Sequence, residues 1–210
     1  MEEMVTLEVP EGPALEGRLG LVPGPRGGLV MGHPHPLYGG DMDNPVVMRA
    51  VEVAREAGLT TLRFNFRGVG GSLGVHDQGR GEMDDVRAAL ALLSARLSGG
   101  ARIGLGGYSF GAWVAARLAA TSAQPPPLAL IAPPLRMSDF DCLDGYQGEV
   151  LLVAGTRDEY CPAGELDRLA KRLAAPAIRL IEDADHFLFG KLFPLGEAIR
   201  EWIGTWVGSG

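Results

Sequence analysis

Lysine is nearly absent from this chain. It occurs only at positions 171 and 191, so basic charge is almost all arginine, and acidic residues outnumber basic ones by 26 to 19. A formal charge of −7 without any Lys/Arg cluster argues against a nucleic-acid partner, because phosphates are gripped by clustered cations. Cysteine is equally scarce. Cys142 and Cys161 are too few for a disulfide framework or a zinc cage, and free thiols are expected. No apolar run reaches the ~18–20 residues of a membrane span, so no membrane partner is expected. Met1-Glu2-Glu3-Met4 lacks the basic start and apolar core of a secretory leader, which makes the expected location cytoplasmic. Repeats, low-complexity tracts and dividing linkers are also missing. With 210 residues, 46% of them hydrophobic, the chain reads as one domain over 1–210 with a sizeable core.

What is present alternates. Met4 to Val9 and Leu15 to Val22 read as a β-hairpin about Pro10-Glu11-Gly12-Pro13. Apolar runs at Gly28–Gly32, Leu59–Phe66, Ala101–Tyr108, Leu128–Ile131, Val150–Gly155 and Ile178–Ile181 read as buried strands. Between them lie helical patterns. One is capped by Asp43 or Asn44, with Pro45 in its first turn and Gly58 past its end. Another spans about Gly81 to Leu97, with Glu82, Asp84 and Asp85 at its dipole-positive start. A third covers about Gly164 to Ala174. The last carries Ile199, Trp202, Ile203, Trp206 and Val207 on one stripe. Strands alternating with helices imply a mostly parallel sheet covered on both faces, with the hairpin adding antiparallel strands at one edge. Ligands of such sheets bind beyond the carboxyl ends of the strands, so the loops after strands carry the chemistry.

One of those loops is a single residue. Gly107-Tyr108-Ser109-Phe110-Gly111 joins an apolar strand to an alanine-rich helix, the context of a G-x-S-x-G elbow that lifts a serine hydroxyl above the sheet. A neutral hydroxyl needs a base, and the base needs an orienting group. His186, after the last strand, is the candidate base. Asp158, after Val150–Gly155, is the candidate acid, with Glu159 as a fallback in the same loop. The chain order Ser109, Asp158, His186 is the one expected of this architecture. An oxyanion needs N–H donors. Phe110 offers one at the start of the elbow helix. The loop His33-Pro34-His35-Pro36-Leu37-Tyr38-Gly39-Gly40-Asp41 offers the other. Its prolines have no N–H, which leaves His35 first and Leu37 second.

With these motifs the chain resembles the α/β-hydrolases over nearly its whole length. More narrowly it is similar to small bacterial dienelactone-hydrolase-like members, on His33–Asn44 and on Arg63-Phe64-Asn65-Phe66-Arg67-Gly68-Val69-Gly70-Gly71-Ser72. The resemblance implies an α/β-hydrolase fold and a Ser109/Asp158/His186 triad with an oxyanion loop at His33–Gly40. Relatives often carry His-Gly where this chain has His33-Pro34, and dienelactone hydrolases proper use cysteine where Ser109 stands. Only residues 133–148 are available for a lid, too few for a lid domain. The expected site is therefore shallow and open, walled by Leu37, Tyr38, Phe140, Tyr146 and Phe187, with Leu37, Tyr38 and Phe187 as substrate contacts.

The expected activity is serine hydrolysis of a carboxylic ester or thioester of a small acyl substrate, through an acyl-enzyme and without cofactor. A peptidase or aminoacyl amidase on the same triad is the alternative, and a non-catalytic binding module is a further one. Two other readings are weaker. His33-x-His35 near Asp41 and Asp43 has the look of a metal pair but lacks a third ligand at firm spacing, so no metal is expected. Gly68-x-Gly70 and Gly104-x-Gly106 begin a dinucleotide fingerprint, but Leu73 and Ser109 stand where its third glycine belongs. Oligomeric state is left open, a homodimer included.

Overall fold

A computed structural model describes residues 2–208; Met1 and residues 209–210 lie outside the described residues. The elements run β1 (Glu2–Glu8), β2 (Ala14–Gly20), β3 (Gly27–Gly32), α1 (Pro45–Glu56), β4 (Leu59–Phe64), α2 (Arg80–Arg96), β5 (Ile103–Tyr108), α3 (Phe110–Ala119), β6 (Leu128–Ile131), β7 (Val150–Gly155), α4 (Ala163–Ala170), β8 (Ala177–Ile181) and α5 (Leu192–Trp206). They form an eight-stranded sheet in the order β1-β2-β4-β3-β5-β6-β7-β8. The β1–β2 and β2–β4 pairs are antiparallel and all others parallel. This is the α/β-hydrolase arrangement with an N-terminal antiparallel hairpin, helices on both faces and no lid.

Strand periodicity of two divides the apolar residues between two cores. Val30, Leu105, Leu128, Leu130, Leu152 and Ala154 face the side covered by α2, α3 and α4. Leu29, Met31, Ala129, Ile131, Leu151 and Val153 face α1 and α5. The expected α5 stripe is buried in full, and Gly104 leaves the space that the Trp202 and Trp206 rings occupy. Asn44 rather than Asp43 caps α1, its side-chain oxygen accepting the Val46 N–H at 2.9 Å.

Several expected boundaries move for physical reasons. The strand expected through Phe66 ends at Phe64: the Asn65 N–H still reaches the Glu16 carbonyl of β2 at 2.9 Å, and the Phe66 N–H is the first to leave the ladder for a side chain. Asn65 Oδ1 accepts the Met42 N–H at 2.8 Å, and the Phe66 N–H donates to His33 Nε2 at 3.0 Å. The hairpin's second strand stops at Gly20 rather than Val22, and α4 stops at Ala170 rather than Ala174. Glu82 and Asp85 are more than dipole complements. Both are fully buried, and Asp85 holds Arg67 through its backbone N–H and guanidinium at 2.7–3.1 Å, which fixes the loop after β4.

The elbow depends on bare backbone. A Cβ on Gly107 would stand 2.2 Å from the Gly111 carbonyl, and one on Gly111 would stand 2.5 Å from the Gly32 carbonyl oxygen. Neither neighbour is a flexible side chain that could swing away. Gly107→Ala should therefore destabilise the protein by about 3 kcal/mol. In a thermal melt this corresponds to a midpoint lower by roughly 6–12 °C. A melt unchanged within a degree would contradict that packing.

Candidate active site

Ser109 sits between β5 and α3 at φ 54°, ψ −115°, a conformation that L-residues avoid. Its N–H donates to the Ile131 carbonyl at 2.9 Å, and its carbonyl accepts from Ala112 and Trp113, so strand and helix together hold the turn in place. The side chain is lifted clear of the sheet and meets His186 Nε2 at 3.0 Å. His186 Nδ1 lies 3.0 and 2.9 Å from the two carboxylate oxygens of buried Asp158. Asp158 is held in turn by the Tyr160 and Cys161 N–H groups, which donate to Oδ1 at 2.9 and 2.8 Å. Gly155 lets the two loops approach: a Cβ there would strike the Ala184 carbonyl oxygen at 2.1 Å. Three residues, the nearest two of them 28 positions apart in the chain and the farthest two 77, thus form one hydrogen-bonded row.

No family model matches the chain. An uncharacterized protein of Rickettsia prowazekii is 34% identical over 206 residues, spanning 93% of this chain and 86% of that one. An α/β serine hydrolase without lid from Xanthomonas campestris superposes with TM-score 0.89 at 32% identity, covering 100% of this chain and 96% of that one. An α/β serine hydrolase homologue from Coxiella burnetii gives 0.87 at 32%, covering 95% and 96%.

The chain belongs to the lid-less α/β serine hydrolases.

Est1E of Butyrivibrio proteoclasticus, in a structure with ferulic acid bound, shares the hydrolase's fold at TM-score 0.83 and 18% identity, over 95% and 97% of the two chains.

The loop after β3 is built around a buried histidine whose job the sequence did not disclose. His33 has no exposed surface, and both its nitrogens are engaged. Nδ1 lies 2.6 Å from the Pro34 carbonyl oxygen and Nε2 accepts from the Phe66 N–H. The ring is therefore neutral with its proton on Nδ1. Both nitrogens being taken, it cannot pair with His35 on a metal, and among the described residues no three His, Cys, Asp or Glu gather as a metal cluster. In a trans peptide C=O and N–H point oppositely. Holding the Pro34 carbonyl inward therefore turns the His35 N–H outward, and that N–H has no protein acceptor among the described residues. Leu37 is excluded as an alternative donor, because its N–H already donates to His35 Nδ1 at 3.2 Å. Gly40 closes the loop: a Cβ there would stand 2.1 Å from the Pro34 oxygen. Across the cleft, the Phe110 N–H opens α3 at its positive end.

Burial pushes the His33 imidazole down from 6.5 to about 4. Unfolded, the ring takes a proton below about 6.5; folded, it resists until about 4. Between these values the unfolded chain binds more protons, so stability is lost as pH falls through the window, by roughly 3 kcal/mol in all. Burial lowers His35 as well, which adds in the same direction. Urea midpoints at pH 7 and pH 5 check this, and equal values would refute it.

The site opens as a cleft of about 840 Å³ rather than a shallow surface. Tyr38 and Phe187 line it as expected, while Leu37, 69% exposed, points elsewhere and is not part of the wall. Phe140 and Tyr146 are also misassigned: both are buried in the core under α3, where Tyr146 donates its hydroxyl to the Pro126 carbonyl at 2.5 Å. Trp113, Met137 and Tyr160 take their places. The first two lie on a helix face and in an irregular loop, with no signal in the sequence. Tyr108, inside the elbow, donates its hydroxyl to the His186 carbonyl at 2.9 Å and so anchors the histidine loop. Glu159 is exposed, and Asp158 alone of the pair meets His186. Cys142 and Cys161 are free thiols.

Proposed function

We propose that the hydrolase is a serine esterase acting on small neutral carboxylic esters without metal or cofactor. Ser109 attacks the ester carbonyl while His186 Nε2 takes the hydroxyl proton. Asp158 holds the imidazole with its proton on Nδ1 and stabilises the imidazolium that forms. The Phe110 and His35 N–H groups stabilise the oxyanion. His186 then returns its proton to the departing alkoxide, leaving an acyl-enzyme, and water repeats the sequence to release the acid. The observation that carries this reading is the unbroken row Ser109 Oγ–His186 Nε2 at 3.0 Å and His186 Nδ1–Asp158 Oδ2 at 2.9 Å.

Ester is preferred over aminoacyl amide because no Asp, Glu, Lys or Arg lines the cleft among the described residues. A free α-ammonium would have no carboxylate to meet there. The test is a fluorophosphonate probe together with paired substrates. The probe should label the native protein and leave Ser109→Ala untouched. Hydrolysis of p-nitrophenyl butyrate should exceed that of aminoacyl p-nitroanilides. Labelling that survives Ser109→Ala, or faster amide cleavage, would overturn the reading.

A further inference from the structure

The cleft extends past Ser109 to a pair of side chains that the proposed reaction leaves unused. The rings of His35 and His76 stand side by side, 5.0 Å between centroids, and both pack on Phe110 at 4.9 and 5.4 Å. Both line the cleft. Behind His76 is Glu82, wholly buried in the first turn of α2. Its carboxylate accepts the Asp77 and Gly79 N–H groups at 2.8 Å each, and Oε1 also lies 2.7 Å from His76 Nδ1. That last contact is off the line of a good hydrogen bond. Two lone pairs would repel at this separation, however, so Nδ1 carries the proton and Nε2 of the neutral ring is an acceptor. His35 is fixed in the opposite sense. Its Nδ1 accepts the Leu37 N–H, so the neutral ring has its proton on Nε2, a donor.

One donor and one acceptor on adjacent rings match a group that both accepts and donates, which is a hydroxyl. A carboxylate would face the lone pair of His76 with Glu82 behind it and no cation in the wall. Phe110, Trp113 and Tyr38 supply flat apolar surface around the pair, suited to an aromatic ring. We infer that the His35–His76 pair is a hydroxyl-recognition subsite and that the substrate class is a hydroxyaryl ester. This rests on the esterase reading above.

The test uses ester pairs that differ by one hydroxyl. On the acyl side these are methyl 3-(4-hydroxyphenyl)propanoate and methyl 3-phenylpropanoate; on the alcohol side, 4-hydroxyphenethyl acetate and phenethyl acetate. In at least one series kcat/KM should favour the hydroxylated member about tenfold, and the ratio should fall to about one in His76→Phe. A ratio near one in both series, a ratio undiminished by His76→Phe, or a preference for the matching 4-carboxyphenyl ester would overturn the subsite. Should His76→Phe fail to fold, the native protein gives an independent readout. There, 4-ethylphenol should inhibit hydrolysis of p-nitrophenyl acetate about tenfold more tightly than ethylbenzene, and equal inhibition would overturn the subsite. Absence of turnover on every ester, with no fluorophosphonate labelling, would instead remove the esterase reading itself.

Discussion

Ser109→Ala should reduce ester turnover by about 10⁴-fold or more while leaving the fold intact. The substitution removes the hydroxyl that His186 Nε2 meets at 3.0 Å and nothing that supports the turn, whose hydrogen bonds come from the Ser109 backbone. What remains is catalysis by oxyanion donors and binding alone, which in serine hydrolases is a small residue of the whole. Alanine tolerates φ 54° no better than serine, so the melting midpoint should barely move. Ser109→Gly separates the two roles of the position. It is equally inactive, but it releases backbone strain of roughly 1–3 kcal/mol. Part of that gain is offset by the greater freedom of glycine in the unfolded chain. The Gly variant should therefore melt above the Ala variant, by about 1 kcal/mol of stability. Turnover within tenfold of native in either variant would remove Ser109 from the chemistry.

Asp158→Asn should lower kcat by about 10⁴-fold, the size expected when the wrong imidazole tautomer is imposed. Asparagine can keep its oxygen on the Tyr160 and Cys161 N–H groups, where Asp158 Oδ1 now sits. Its amide then faces His186 Nδ1 as a donor. The ring must accept there, which moves its proton to Nε2, where it points at the Ser109 hydroxyl instead of accepting from it. Substrate binding is untouched, so KM should change little. Glu159→Gln, exposed and away from His186, should stay within twofold of native. Steady-state kinetics on p-nitrophenyl butyrate decides the matter. A fall for Glu159→Gln with Asp158→Asn near native would transfer the orienting role.

The elbow and the strand-then-loop positions of Asp158 and His186 were legible because each is a local pattern. Gly107 and Gly111 announce the close approach, and an apolar run followed by an acid or a histidine announces a strand end. His33 was not legible. Its spacing with His35 suggested a ligand pair, whereas its ring is a buried clamp on Pro34, held by a backbone N–H from the loop after β4. Nor was Leu37 separable from His35 as a donor, because the hydrogen bond that removes it is made by the side chain of His35 itself. Phe140 and Tyr146 fall in an irregular stretch, and nothing periodic in 133–148 says which aromatics turn inward.

The sequence by itself determined the alternation of strands and helices, the parallel sheet with its antiparallel edge, and the place of Ser109 at a tight strand-to-helix turn, since hydrophobic period and glycine sterics act over a few residues. Only the tertiary structure decided which N–H groups stay free, which aromatics wall the cleft, and which groups stand against His35 and His76. Those depend on contacts between segments far apart in the chain, and a proton's position on an imidazole is set by whatever group the fold brings against it.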